Sequence, residues 1–128
     1  MGRKVLAANT FCEVDGNFSA YKVAGTHQHI PEIEQELSEA AGESVRVSFT
    51  PHLLPLNRGI LATSYGSPTR ALDEAVLQAC LADFYRDKPF VRVLKGAEMP
   101  NLRAVVGTNV IEIAARFDAM AQLFSVFS

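Results

Sequence analysis

Residues 27–37 read HQHIPEIEQEL and join a predicted strand to a predicted helix. The preceding segment, 18–26, is rich in residues that favour an extended chain, and Pro31 suits the first helical turn, where no backbone N–H is needed. An apolar stripe at helical spacing predicts a helix over 31–41, which ends at Gly42. The junction therefore fixes one strand and one helix, and it carries two histidines.

The rest of the chain alternates between predicted strands and helices. Strands are predicted over 45–49, 59–65, 90–94, 102–106 and 109–117, a helix from Ser67-Pro68 to about Arg86, and a short helix over 3–10. The order β-α-β-β-α-β, followed by further strands, predicts an α+β fold of the ferredoxin-like, split βαβ kind. We expect a mostly antiparallel sheet with helices packed on one face, in a single domain over 1–128 whose last residues, about 118–128, form a divergent tail.

Composition narrows the classes of partner. The chain has 128 residues, a net charge of −2 and 48% hydrophobic residues, which is enough for a packed core. We find no basic stripe that would favour nucleic acid or an anionic membrane, and no apolar run of membrane-spanning length. The two cysteines, Cys12 and Cys80, are far apart and follow no pattern, which is typical of a reducing, cytoplasmic compartment. Cys80 is predicted to lie in the core, on the apolar side of the second long helix.

The two histidines of the junction are the first candidates for chemistry. If residues 19–29 are extended, His27 and His29 point to the same face, beside Glu32 in the first turn of the helix. Histidine moves protons near neutral pH, so this arrangement indicates general acid–base catalysis oriented by Glu32. Tyr21 could reach a ligand beside His27, or it could belong to the outward face of its strand.

Other interpretations of these residues stay open. His27 and His29, together with His52, could form an open zinc site, but nothing in the sequence requires His52 to come close, so no metal is expected. Each histidine could instead hydrogen-bond backbone in a half-buried position. Arg58, next to Gly59, could hold a carboxylate or phosphate, or it could be a solvated loop residue.

Three segments together resemble one enzyme family. Residues 20–37 read AYKVAGTHQHIPEIEQEL, residues 49–61 read FTPHLLPLNRGIL, and residues 107–109 read GTN. In this order and at about this spacing they resemble the substrate domain of N-acetyl-γ-glutamyl-phosphate reductase, and the similarity runs from near residue 3 to about residue 117.

The resemblance implies a reaction and a set of roles. The family reduces an acyl phosphate to a semialdehyde with NADPH, in arginine biosynthesis, through a thioester on a cysteine, and a histidine manages the protons. By position His27 is similar to that catalytic histidine. The resemblance implies that His29 and Glu32 are its near neighbours, and that His52 and Arg58 belong to the surface that binds substrate and phosphate.

The chain also departs from the family pattern. It has no Gly-x-Gly-x-x-Gly segment for a dinucleotide, neither cysteine lies in the family's Gly-Cys-x-x-Thr segment, and the family's C-terminal helix is missing. We therefore expect the substrate and dimerisation part of a longer enzyme, homo-oligomeric, with no NADP(H) bound and no reductase activity on its own. A non-enzymatic association or ligand-binding module on the same fold is the alternative, and a metal enzyme using His27, His29 and His52 is a third.

Overall fold

The α+β class predicted from the sequence is confirmed. A computed structural model describes residues 10–128, which fall into two compact units, one ending at Asn57 and the other beginning at Arg58. The described residues form four helices, an antiparallel sheet of two strands and a mixed sheet of four strands. No helix in this range is long and apolar enough to cross a bilayer. The helix predicted over 3–10 lies outside the described residues except for Thr10.

The first unit is built around one amphipathic helix. Its elements are α1 (Phe11–Val14), β1 (Ser19–Ala20), α2 (Ile30–Ala41) and β2 (His52–Leu53), and β1 pairs antiparallel with β2. The helix predicted over 31–41 is thus confirmed as α2, with proline in its first turn. Gly42 ends α2 in the left-handed conformation, with φ of 72°, and its N–H donates to the carbonyl of Ser38.

The strand predicted over 18–26 is wrong beyond its first residues. Only Ser19 and Ala20 are in β1, and the chain then turns. Positive φ values at Lys22 (46°), Ala24 (54°) and Gly25 (79°) reverse its direction. The junction is therefore a tight turn into α2 and not an extended strand, because the residues that favour a strand had no neighbouring strand to pair with beyond β2.

The strand predicted over 45–49 is wrong as a strand but right about its faces. Its odd-numbered residues are half-buried and its even-numbered residues are exposed, as in a strand with one buried side. The backbone N–H groups of Val45 and Val47 donate instead to Ser38 Oγ (2.9 Å) and Glu34 Oε1 (3.2 Å) of α2. Side chains of the helix thus take the place that a neighbouring strand would have.

The second unit is a sheet with one long helix on it. Its elements are β3 (Thr63–Gly66), α3 (Glu74–Phe84), β4 (Val91–Val93), α4 (Leu102–Val105), β5 (Ile111–Asp118) and β6 (Leu123–Phe127). The strand order is β3-β6-β5-β4, with β4 parallel to β5 and the other pairs antiparallel. Ala114 and Ala115 are fully buried in β5, where α3 packs, and Gln78 of α3 donates to the carbonyl of Ala115 over 3.0 Å.

Two helix assignments differ from the sequence prediction. Helix α3 begins after Asp73, whose side chain accepts from the Val76 N–H at 2.8 Å, and not at Ser67-Pro68. The strand predicted over 102–106 is wrong, because Asn101 caps the short helix α4 by accepting from the Arg103 N–H at 2.9 Å. At α3 the Asp73 cap, and not the predicted Ser67-Pro68 cap, begins the helix, and at α4 the Asn101 cap prevails over the apolar pattern.

Two further side chains lie differently from expectation, and the C-terminal residues form a strand. Cys80 is exposed on α3 and is not a core residue. The alternating pattern over 111–117 predicts Ile111 on the apolar face of β5 and Glu112 on the opposite face, but Glu112 is buried, with 7% of its surface exposed, while Ile111 is 55% exposed. The residues after Asp118, for which the sequence predicted no element, form a tight turn and β6.

Candidate functional site

His27 lies at the centre of the candidate site in the first unit. Its side chain is buried, with 8% of the residue surface exposed, and so is Ile30, the first residue of α2. The His27 carbonyl accepts from the Ile30 N–H over 3.1 Å, which ties the turn to the start of the helix. Pro31 follows without an N–H to satisfy, so the chain enters α2 directly after the imidazole.

The backbone of His29 defines the tautomer of His27. The His29 N–H donates to Nδ1 of His27 over 3.3 Å. A nitrogen that accepts a hydrogen bond carries no proton, so the neutral ring has its proton on Nε2. Nε2 is therefore the nitrogen through which this imidazole can donate to a ligand.

Three aromatic rings meet His27 edge to face. The ring centroids lie 5.0 Å away for His29, 5.1 Å for Phe49 and 5.8 Å for Tyr21, at interplanar angles of 75°, 65° and 70°. Burial of the imidazole lowers the pKa of His27 below its ordinary value of 6.5, and the charges of His29 and Lys22 lower it further. The ring is thus held in its neutral form near neutral pH.

The predicted neighbours of His27 take different positions. His29 is the N-cap residue of α2, in right-handed helical conformation, and its side chain makes no capping hydrogen bond. Glu32 is exposed in the first turn, and its carboxylate forms no hydrogen bond or ion pair with any residue that the structure describes. The orienting partner of His27 in this structure is a backbone amide.

His52 lies apart from the histidine pair. It is exposed on β2, and its ring is stacked against Phe18 at 5.1 Å and 39°. Within residues 10–128, no group of three or more His, Cys, Asp or Glu side chains is arranged to hold a metal ion. The alternative of a zinc site made by the three histidines has no geometric support in this part of the chain.

Arg58 belongs to the second unit. It is exposed and lines a cavity of about 580 Å³, whose other walls are mainly the aliphatic side chains of α4, the start of β5 and residues 60–61. No ion pair joins Arg58 to another described residue.

Sequence reasoning missed two residues around His27. Phe49 contacts the imidazole directly, and the alternation of apolar and polar residues over 45–49 is the sequence signal that could have identified it. Glu34 reaches back from α2 to the same segment through Val47 and Arg46. Its position in the sequence indicated only a favourable charge in the first turns of a helix, so no local signal marked this contact.

The fold and the histidine junction agree with one family. A family model described as semialdehyde dehydrogenase, dimerisation domain, matches residues 1–128. The chain therefore belongs to the semialdehyde dehydrogenase dimerisation domain family.

Several curated proteins that are similar to this chain share one enzyme name. The chain is 51% identical over 110 residues to the N-acetyl-gamma-glutamyl-phosphate reductase of Acidothermus cellulolyticus, covering 86% of the chain and 32% of the relative. It is 47% identical over 117 residues to that of Citrifermentans bemidjiense (91% and 34%), and 45% identical over 127 residues to that of Symbiobacterium thermophilum (99% and 36%). The chain spans about a third of the length of these curated relatives, and the similarity predicted from its three segments is confirmed.

Proposed function

We propose that this chain is the substrate-binding and acid–base part of an NADPH-dependent N-acetyl-γ-glutamyl-phosphate reductase, an oxidoreductase of arginine biosynthesis in the cytoplasm. The observation that carries the proposal is the buried His27, whose Nδ1 accepts from the His29 amide and whose Nε2 remains for a ligand. The names of the relatives and the matched family model support the class of reaction.

His27 then acts through Nε2. Reduction of an acyl group to an aldehyde develops negative charge on the former carbonyl oxygen, and a donor aimed at that atom stabilises it. A buried, neutral imidazole with its proton on Nε2 is such a donor.

The other candidate residues are given roles within the unit to which each belongs. His29 and Tyr21, whose rings contact His27, line its surroundings, and Glu32 presents a carboxylate at the start of α2. His52, in the first unit, is proposed to bind an anionic group of an acyl phosphate, and Arg58, in the second unit, is separately proposed for such a group because a guanidinium can bind it bidentately. The chain associates with itself, as the description of its family states for the domain.

NADP(H) does not fit the residues of this chain. The eight glycines stand at 2, 16, 25, 42, 59, 66, 96 and 107, so no Gly-x-Gly-x-x-Gly segment occurs. The parallel pair of the described sheet, β4 and β5, is connected through α4, a helix of four residues with a single glycine before it. We propose that other parts of a longer protein hold the cofactor and supply the nucleophilic cysteine, so that this chain alone does not catalyse the reduction.

An activity assay tests the proposal. The purified chain, given acyl phosphate and NADPH, is expected to show no phosphate-dependent turnover, whereas the full-length product of the same reading frame is expected to be active. In the full-length protein, His27→Gln is expected to lower kcat by about 10² to 10⁴, and Glu36→Gln, on the exposed face of α2, to leave it unchanged. Turnover by the chain alone, or full activity of His27→Gln, would refute this function.

A further inference from the structure

Glu34 connects helix α2 to the segment that covers His27. One carboxylate oxygen accepts from the Val47 N–H at 3.2 Å, and the other accepts from the Arg46 guanidinium at 2.9 Å. The Glu34 side chain is only 17% exposed, whereas that of Arg46 is 85% exposed. The backbone contact is therefore the sheltered one, and it is made by an acceptor that carries charge.

A second contact joins the same segment to α2, one helical turn after Glu34. The Val45 N–H donates to Ser38 Oγ at 2.9 Å, and that hydroxyl donates in turn to the carbonyl of Glu34 at 2.6 Å. Residues 45–47 are thus fixed along α2 at two points four residues apart in the helix. Two residues further on, Phe49 presents its ring to His27 at 5.1 Å.

We propose that Glu34 is a positioning residue for His27: by fastening the segment 45–49 along α2, it keeps the ring of Phe49 against the imidazole. The role of the imidazole as a proton carrier rests on the proposed function, but the positioning itself is a property of the chain as it stands.

The direction in which the pKa of His27 changes when Glu34 is replaced distinguishes two possible roles of Glu34. The groups facing His27 are Tyr21 and Lys22 from the turn and His29 from the start of α2, while the segment 45–49 contributes the uncharged Phe49. If Glu34 acted on His27 only as a nearby negative charge, its neutralisation would lower the pKa of His27. If Glu34 holds the segment that buries His27, its loss admits water to the ring and raises that pKa.

The test is an NMR titration of the His27 ring protons in the full 128-residue chain. Glu34→Ala, which removes the acceptor of the Val47 N–H, is expected to move the His27 midpoint upward and to move its ring-proton shifts in the same direction as Phe49→Leu, which removes the covering ring directly. Glu36→Ala, which removes an exposed carboxylate of the same helix, is the matched control and is expected to leave both unchanged.

Each outcome decides the proposal. An unchanged or lowered midpoint in Glu34→Ala, with the fold intact by circular dichroism, would overturn it. If Glu34→Ala does not fold, Glu34→Gln, which keeps only an uncharged acceptor for the Val47 N–H, is measured in its place, with a smaller upward movement expected and an unchanged or lowered midpoint refuting the proposal. The NMR titration does not measure activity of the full-length protein. A negative result for the positioning role of Glu34 is therefore distinguishable from failure of the proposed function.

Discussion

The backbone N–H of His29 donates to Nδ1 of His27, its neighbour two residues earlier, over 3.3 Å. This contact follows from the turn before α2, because the right-handed helical conformation of His29 directs its amide back towards the preceding side chain. A donor that belongs to the backbone does not titrate, so it favours the tautomer with the proton on Nε2 at every pH at which the ring is neutral. The consequences can be measured directly.

The first prediction is that neutral His27 carries its proton on Nε2. A long-range ¹H–¹⁵N correlation spectrum of the chain above pH 7.5 is expected to show the pattern of the Nε2-protonated tautomer for this residue. The reason is the hydrogen bond accepted by Nδ1. The pattern of an Nδ1-protonated ring would contradict the contact and the role proposed for Nε2.

The second prediction concerns stability against pH. Burial lowers the pKa of His27 below 6.5, its ordinary value and the one expected in the unfolded chain, so the unfolded state binds this proton first as the pH falls. The contribution of His27 to the free energy of unfolding is therefore complete above 6.5 and is lost as the pH falls from there through the lowered pKa of the folded state.

Urea unfolding of the wild type and His27→Gln at pH 7.5 and 5.0 checks this contribution. The variant is expected to lose less stability between the two pH values than the wild type, because it lacks the ring that must be charged while buried. Equal losses of stability in both proteins would show that another group determines the decrease in the free energy of unfolding between pH 7.5 and 5.0.

The sequence predicted α2 well because its signals are local. A proline at its start, a glycine after its end and an apolar stripe between them depend on no distant residue. The segment 45–49 was predicted as a strand because its alternation is also local, but its hydrogen-bond partners, Ser38 and Glu34, are side chains of a helix. No pattern within the segment could show which donors and acceptors would meet it.

The sequence predicted which residues belong to the candidate site but not how they are arranged in space. The proximity of His27 and His29 was argued from an extended chain, whereas the turn from His27 to Ile30, closed by the Ile30 N–H on the His27 carbonyl, holds the two rings 5.0 Å apart. Phe49 joins them from a distant part of the sequence, which is why it was missed. Spacing within a motif identified the residue types, and the tertiary contacts decided which of them touch.

The third prediction tests a buried carboxylate in the second unit. Glu112 accepts from Arg92 at 2.7 Å and from the Asn101 N–H at 3.1 Å, and Asn101 in turn caps α4. Glu112→Ala leaves both donors without their acceptor and is expected to cost about 2 kcal/mol of unfolding free energy. Glu112→Gln keeps an acceptor for the Asn101 amide, so it is expected to cost less. Chemical denaturation at neutral pH measures both, and equal costs would show that the amide contact contributes nothing.

The fourth prediction compares two glycines with positive φ in the second unit. Gly59 has φ of 100°, and a Cβ there would overlap the Leu102 side chain of α4; Gly96 has φ of 56° and open space around it. Alanine at either position carries backbone strain of about 1 kcal/mol, but only Gly59→Ala must also shift the Leu102 side chain. Thermal unfolding is expected to show a lower Tm for Gly59→Ala than for Gly96→Ala. The opposite order would mean that Leu102 yields without cost.

The fifth prediction is self-association of the chain. The match to a dimerisation domain and the large hydrophobic side chains left exposed in the second unit, among them Ile60, Leu61 and Tyr65, give it a reason to associate. Light scattering coupled to gel filtration is expected to give at least twice the 13.9 kDa of one chain.

Leu61→Lys, which places a charge on this surface without entering the core, is expected to shift the equilibrium towards the monomer, whereas Met120→Lys in the exposed turn before β6 is the control and is expected not to. A wild-type monomer throughout a tenfold dilution series would contradict association, and equal effects of the two substitutions would show that the exposed residues of 60–65 are not where it occurs.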